Sequence, residues 1–186
     1  MNTDLFDKAA KFAIDAHRGG ERKGKGYPYI LHPMEAAIVV SSLTTDPEML
    51  AAAMLHDTVE DTPVTIEQIR QEFGDRVASL VHHETSPLPH DAPWRDRKQA
   101  QADQITSAPR DSKIVALGDK LSNLRAIAID YRSLGDALWS RFHAPEGVKD
   151  IEWYYRSIAD SLANLADTAP YQEFLTLLDE TFHTSK

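Results

Sequence analysis

The stretch EMLAAAMLHDTVEDT, residues 48–62, places ionisable side chains at the end of an apolar helix. Apolar residues recur there at the spacing of one helical face, and Asp57 falls on that same face. His56 lies beside it, and Glu60 and Asp61 follow one turn later. A buried carboxylate without a partner is costly and tends to take up a proton. The stretch therefore predicts a helical core in which other groups hold these side chains.

The composition favours one globular domain, which we predict to span residues 1–186. Hydrophobic residues make up 42% of the chain, which is enough for a sizeable core. The absence of cysteine excludes disulfides, thiolate metal ligands and a thiol nucleophile. The sequence contains neither a signal or transit peptide nor a run approaching the ~20 apolar residues of a membrane helix. We expect a soluble, cytoplasmic protein without a membrane partner.

The net charge of −9 makes long nucleic acid an unfavourable partner, because nucleic-acid binding depends on a broad basic surface. Basic residues nevertheless cluster in two short segments, which suits a small anionic ligand. The segments contain Arg18, Arg22, Lys23 and Lys25, and Arg95, Arg97 and Lys98. The sequence does not decide the oligomeric state and leaves a homo-oligomer open.

Helical periodicity dominates the chain and predicts an all-α fold, a single helical bundle. Pro33 suits the first position of the second helix, which would make His32 its N-cap. Thr65 and Gln68 form a capping-box pattern, and Gly74 ends the same helix. The predicted helices cover residues 3–17, 33–43, 47–58, 65–74, 75–83, 94–107, 111–130, 135–142 and 147–166, and a last one opens at Pro170.

A long polar loop is predicted at ETSPLPHDAPW, residues 84–94, where Pro87, Pro89 and Pro93 interrupt any helix. Loops of this length in compact domains are often functional lids.

Two imidazoles and two carboxylates stand out as candidate metal ligands: His32, His56, Asp57 and Asp119. Nitrogen and oxygen ligands of this kind suit manganese, iron, zinc or magnesium. Asp119 lies in a segment that is apolar on nearly every face, so its helix is predicted to be buried and the carboxylate needs a partner. Each residue alone is more often a core histidine or a solvated helix end. The metal hypothesis rests on the combination of these residues, which lie on three separate predicted helices.

Four segments of the chain resemble a known family. A His, a His-Asp pair and a later Asp on an all-α scaffold resemble the HD-domain metal-dependent phosphohydrolases. The segments resemble more closely the hydrolase domain of RelA/SpoT homologues, over residues 5–165, and the chain length resembles small stand-alone alarmone hydrolases such as the metazoan SpoT homologue. The segments read RKGKGYPYILHP (22–33), AAAMLHDTVEDT (51–62), TIEQIRQEFGDRVASLV (65–81) and KIVALGDKLSNLR (113–125).

The resemblance implies an enzyme that removes the 3′-pyrophosphate of the guanosine alarmones ppGpp and pppGpp with a metal-activated water. It implies that the enzyme binds one Mn²⁺ ion, and it leaves open whether another divalent metal serves instead. The implied roles are metal ligation by His32, His56, Asp57 and Asp119, handling of the attacking water by Glu60 and Asp61, and substrate binding by Arg22, Lys23 and Asn123.

The chain departs from the family pattern at Ser86, Gly118 and Ser122, which flank the implied nucleotide pocket. Guanine and adenine alarmones, and the 2′-phosphate of NADPH, therefore remain alternatives. A second hypothesis is an HD nucleotidase that removes one phosphate from a nucleoside monophosphate. A third is a metal-stabilised interaction module without catalysis.

Overall fold

The structure is a computed structural model that describes residues 3–182, and within them the fold is helical, with no β-strand. The only β-type pairing in that part of the chain is an isolated bridge between Glu21 and Pro28. The predicted all-α fold is confirmed. The helices are Asp4–Ala16 (α1), Leu31–Ser41 (α2), Pro47–Leu55 (α3), Thr58–Asp61 (α4), Ile66–Phe73 (α5), Asp75–Glu84 (α6), Trp94–Ser107 (α7), Arg110–Leu134 (α8), Val148–Ser161 (α9) and Ala169–Phe182 (α10), with 3₁₀ segments at Gly135–Phe142 and Ala163–Leu165.

The chain divides into two compact units. The first contains the residues up to Thr85 together with Pro109–Asp119, and the second contains Ser86–Ala108 and the residues from Lys120 onward. The boundary therefore falls inside α8, between adjacent residues. A single domain over residues 1–186 stays a prediction. None of the described helices is both long enough and apolar enough to cross a membrane.

Helix α3 forms the centre of the first unit. It packs against α1, α2 and α6, and α5 packs in turn against α6. Every residue from Met49 to Leu55 is buried, and Ala51, Ala52 and Ala53 are fully buried. A helix without a polar face is expected where neighbours enclose it. Small side chains let those neighbours pack closely against α3. This close packing fixes the position of the C-terminal end of α3.

The second unit is built on α9, which packs against α7 and α10. Several side-chain pairs join α7 to α9. The Tyr154 hydroxyl donates to Gln101 Oε1 at 2.6 Å, and Arg95 Nη1 lies 2.7 Å from Oδ1 of the buried Asp150. Buried polar groups need such partners, so these pairs also fix the register of the two helices.

The second helix begins two residues earlier than predicted, so the expected N-cap role of His32 is wrong. The backbone N–H of His32 already donates to the Tyr29 carbonyl at 2.9 Å, and that of Met34 donates to Ile30 at 3.2 Å. Helix α2 therefore begins at Leu31, and Pro33 occupies the third helical position. Proline is tolerated there because the first N–H groups of a helix have no intrahelical partner.

The third helix ends at Leu55 rather than at residue 58 as predicted. The Thr58 hydroxyl donates to the Leu55 carbonyl at 2.6 Å and occupies one of the last acceptors of the helix. A separate turn, α4, then starts at Thr58, with Asp57 as its N-cap residue. His56 and Asp57 consequently lie at a junction between two helices.

The fourth predicted helix is confirmed together with both of its end signals. Thr65 and Gln68 make the reciprocal capping-box hydrogen bonds at the start of α5. Gly74 follows the last residue with φ of 89°, a backbone conformation that favours glycine.

Gly118 allows α8 to approach α2 closely within the first unit. A Cβ atom at this position would lie 2.8 Å from the Ala36 carbonyl oxygen and 2.8 Å from Cγ2 of Val40. Both distances are well inside van der Waals contact. The glycine therefore sets the spacing between α2, which carries His32, and α8, which carries Asp119 in the next position.

We predict that Gly118→Ala destabilises the protein. Overpacking costs about 1–3 kcal/mol, and the gain of about 1 kcal/mol in helix propensity offsets only part of it. The free energy of unfolding in urea measures the net loss. Ser133→Ala, at an exposed position of α8, is the matched control. A Gly118→Ala protein as stable as the parent would show that the two helices can separate without cost.

Candidate metal centre and active site

Three parts of the first unit bring the predicted metal ligands to one place. The first turn of α2 carries His32, the junction between α3 and α4 carries His56 and Asp57, and α8 carries Asp119. His32, His56 and Asp119 are 4%, 1% and 4% exposed, respectively. These three residues are therefore withdrawn from water, whereas the Asp57 side chain is 19% exposed.

The ligand atoms of the cluster face each other. The two histidine Nε2 atoms lie 3.2 Å apart. Oδ2 of Asp57 lies 3.0 Å from Nε2 of His56 and 3.2 Å from Nε2 of His32. Oδ1 of Asp119 lies 3.1 Å from Nε2 of His32 and 3.4 Å from Nε2 of His56. Single ligand atoms of His32, His56 and Asp119 all lie within 4.8 Å of one another, so this group could hold a metal ion.

The orientation of His56 fits metal ligation. Its Nδ1 lies 2.8 Å from the carbonyl oxygen of Ala53. In the neutral ring this contact assigns the proton to Nδ1, which leaves the Nε2 lone pair directed at the cluster. Metal-ligating histidines commonly donate their other ring N–H to such an acceptor. The donor set of two imidazoles and two carboxylates is also the set expected for a divalent cation.

The protonation of His56 depends on the carboxylates around it. Burial alone would lower its pKa, but the charges of Asp57 and Asp119 outweigh burial and hold the pKa well above the usual value. Burial would likewise raise the pKa of Asp57, but His56 and His32 hold it well below its usual range. Without a cation, a proton on imidazole therefore balances the carboxylates.

The predicted acidic pair lies on α4, directly after the cluster. Burial and the neighbouring Asp57 charge raise the pKa of Asp61. The Tyr29 hydroxyl, which lies beside the Asp61 carboxyl, offsets part of that increase in pKa. Glu60 is half-buried on the same short helix. An acid whose pKa is raised beside a candidate metal site is suited to accept or donate a proton.

The basic loop reaches the same place through Arg22. The Arg22 guanidinium carbon lies 5.5 Å from the centre of the Tyr29 ring, within cation–π range. The backbone N–H of Arg22 donates to the Tyr27 carbonyl at 2.9 Å, and this bond closes the loop. Lys23 is exposed in the same loop. Asn123 lies on α8 one turn after Asp119, in the part of the helix that belongs to the second unit.

Tyr29 and His17 belong to this region, although the sequence assigned them no role. The Tyr29 hydroxyl donates to Oδ2 of Asp57 at 2.5 Å. The His17 ring packs on Tyr29 with the ring centres 4.8 Å apart, and burial lowers the pKa of His17. Tyr29 could have been found by its position three residues before His32 in the segment that resembles the family. No pattern in the sequence marks His17.

Comparison with known proteins is consistent with this geometry. Residues 9–149 match the HD domain family. The human protein named guanosine-3′,5′-bis(diphosphate) 3′-pyrophosphohydrolase MESH1 is 34% identical over 168 residues, which cover 85% of this chain and 90% of the relative. The Escherichia coli protein named bifunctional (p)ppGpp synthase/hydrolase SpoT is 38% identical over 121 residues, which cover 62% of this chain but 17% of that longer protein.

Two solved structures show the same similarity. One, described as a metazoan ortholog of SpoT that hydrolyses ppGpp, has a TM-score of 0.75 and 25% identity, covering 99% of this chain and 97% of its own. The other, from Listeria monocytogenes, has a TM-score of 0.73 and 30% identity, covering 85% of this chain and 99% of its own. The sequence matches and the fold together confirm the resemblance and show that the chain belongs to the HD domain family, as a relative of the MESH1 and SpoT pyrophosphohydrolases.

Proposed function

We propose that the protein is a metal-dependent guanosine-3′,5′-bis(diphosphate) 3′-pyrophosphohydrolase. The observation that carries the proposal is the cluster of His32, His56, Asp57 and Asp119, with Asp61 close beside it. Relatives that bear this name cover most of the chain. The cytoplasmic location stays a prediction from composition.

The four clustered side chains are the proposed ligands of one divalent ion. Mn²⁺ is our preferred candidate, because mixed imidazole and carboxylate ligands suit it, and other first-row ions remain open. A bound ion would supply Lewis-acid activation of water and of the phosphoryl oxygens. The protein contributes the buried site and the orientation of His56, which its hydrogen bond to Ala53 fixes.

The proposed reaction is hydrolysis at the phosphorus attached to the 3′ oxygen. The oxygen of water bonds to this phosphorus, and the bond between the phosphorus and the 3′ oxygen breaks. The products are pyrophosphate and a nucleotide with a free 3′ hydroxyl. We assign Asp61 and Glu60, on α4, to take the proton that water loses, and the departing 3′ oxygen receives a proton in turn.

The basic loop is the proposed binding element for the substrate. A nucleotide with two pyrophosphate groups carries several negative charges, whereas the chain as a whole carries −9. Positive charge must therefore be supplied locally. Arg22 lies over Tyr29, which contacts Asp57, and Lys23 follows in the same loop. We assign Arg22 and Lys23 to the phosphate groups and Asn123 to the ribose.

Product analysis separates this proposal from the nucleotidase alternative. The manganese-loaded protein is incubated with ppGpp, pppGpp, the corresponding adenosine nucleotides, NADPH and nucleoside monophosphates. The proposal predicts pyrophosphate as the product, with guanosine alarmones turned over fastest. Orthophosphate from nucleoside monophosphates or from NADPH would overturn it, and a complete lack of turnover would favour the interaction module.

Metal binding is expected to depend on Asp119 and on pH. Asp119→Ala should weaken Mn²⁺ binding by at least the ~10-fold typical of even indirect ligand changes. Because the pKa of His56 is raised and a metal needs the neutral ring, binding should displace a proton and the affinity should rise with pH. Titration calorimetry between about pH 6 and 8 measures both effects.

The control for this experiment is Asp111→Ala, which removes a carboxylate of the same helix that pairs with Arg76 at 2.8 Å. That variant should keep the parental affinity. Unchanged metal affinity in Asp119→Ala, or an affinity independent of pH, would remove Asp119 or His56 from the ligand set.

Changes in the acidic pair are expected to affect turnover and not metal content. Glu60→Gln and Asp61→Asn keep the size of each side chain and remove its charge. The loss of a positioned proton-transfer group typically lowers kcat by ~10²–10⁴-fold. Steady-state kinetics at saturating Mn²⁺ measure the loss, with Glu67→Gln on α5 as the control. Near-normal turnover of both variants would show that Glu60 and Asp61 form an ordinary solvated helix end without a catalytic role.

Changes in the basic loop are expected to affect KM. Arg22→Ala and Lys23→Ala should weaken substrate binding, whereas Lys11→Ala on the exposed face of α1 should not. Arg22→Lys should recover little affinity if the planar guanidinium stacks or binds in two places, which lysine cannot do. Full recovery by lysine would show that the position supplies charge alone. An unchanged KM in both alanine variants would exclude the loop from substrate binding.

A further inference from the structure

Tyr29 contacts several parts of the candidate site, although the sequence assigned it no role. Its hydroxyl donates to Oδ2 of Asp57 at 2.5 Å, and the Asp61 carboxyl lies beside the same group. One hydroxyl therefore lies beside a proposed metal ligand and a proposed proton-transfer group. Hydrogen bonds to carboxylates are short and stronger than those between neutral groups.

The Tyr29 ring is held in place on several sides. His17 packs at 4.8 Å between ring centres with an interplanar angle of 33°, and His32 meets the ring edge-on at 5.8 Å and 75°. Arg22 lies over the ring at 5.5 Å. The backbone N–H of Tyr29 donates to the Gly20 carbonyl at 2.9 Å. The hydroxyl consequently occupies a fixed position.

A purely structural tyrosine would not need this arrangement. The aromatic packing with His17 and His32 uses only the ring and would be equally available to phenylalanine. The oxygen atom adds nothing to that packing, and it points at two carboxylates beside the candidate metal centre. Groups that hydrogen-bond ligating carboxylates orient those ligands and tune the affinity for the metal.

We propose that Tyr29 is a positioning residue whose hydroxyl fixes the carboxylates of Asp57 and Asp61 relative to each other. Asp57 is thereby turned toward the two histidines, and Asp61 is kept at a constant distance from the metal site. The effect on turnover rests on the proposed function, whereas the effect on metal affinity does not. The hydroxyl makes no contribution of its own to the bond that breaks.

The test compares Tyr29→Phe with Tyr131→Phe. Tyr131 lies on α8 outside the residues assigned to the site, and its hydroxyl donates to Oδ1 of Asp136 at 3.4 Å. Each change removes one oxygen atom and keeps the ring. The free Mn²⁺ signal in electron paramagnetic resonance gives the dissociation constant without reference to activity. Thermal unfolding gives the stability, and kinetics with ppGpp at saturating Mn²⁺ give kcat and KM separately.

Tyr29→Phe should raise the dissociation constant for Mn²⁺ by about 10–100-fold. It should also lower kcat at saturating Mn²⁺ while KM stays within about twofold, because Asp61 and not the binding loop loses its orientation. Tyr131→Phe should match the parent in all three measurements.

Metal affinity within about twofold of the parent in Tyr29→Phe would overturn the proposal. A lower unfolding temperature with parental affinity and kcat would assign Tyr29 to stability alone, which also overturns it. If the parent itself fails to hydrolyse ppGpp, the proposed function fails, and the Mn²⁺ measurement still decides whether Tyr29 orients Asp57.

Discussion

The mutual compensation of two carboxylates and two imidazoles is the interaction on which the site depends. Each of these groups would be unfavourable if it were buried alone. Together they place opposite charges within 3.0–3.4 Å of one another. The surrounding helices must hold that arrangement with little freedom, because a displaced partner would leave a buried charge uncompensated. The proposed metal ion would balance the carboxylates in the same way, with a divalent charge in place of the proton on imidazole.

The packing of the first unit follows from this requirement. The residues of helix α3 from Met49 to Leu55 are apolar and buried against neighbouring helices, so the C-terminal end of α3 holds His56 and Asp57 at a defined point. The absence of a side chain at Gly118 brings α8 close enough to α2 for Asp119 to reach His32. The Tyr29 hydroxyl then bonds to Asp57 of the cluster, with Asp61 of the next turn beside it. Fold and site are thus specified by the same few helix contacts.

The sequence predicted the helical fold through its periodicity. It predicted the clustered side chains because carboxylates at apolar helix positions are a strong physical signal. Asp57 and Asp119 could be recognised without any contact information. The start of α2 was misplaced, because proline favours the first helical position but is also tolerated at the third, where Pro33 lies. The role of Tyr29 depends on distances between segments that no local pattern encodes. The boundary between the two compact units, which falls inside α8, could not be predicted either. The helix continues through that boundary without any signal in the sequence.

Anomalous diffraction from manganese-loaded crystals at the manganese absorption edge tests the central claim most directly. We predict one strong peak inside the cluster, at bonding distances of about 2.2 Å from atoms of His32, His56, Asp57 and Asp119. A peak elsewhere on the protein, or crystals in which the two histidines keep their direct contact while manganese is in excess, would contradict the assignment of this cluster as the metal centre.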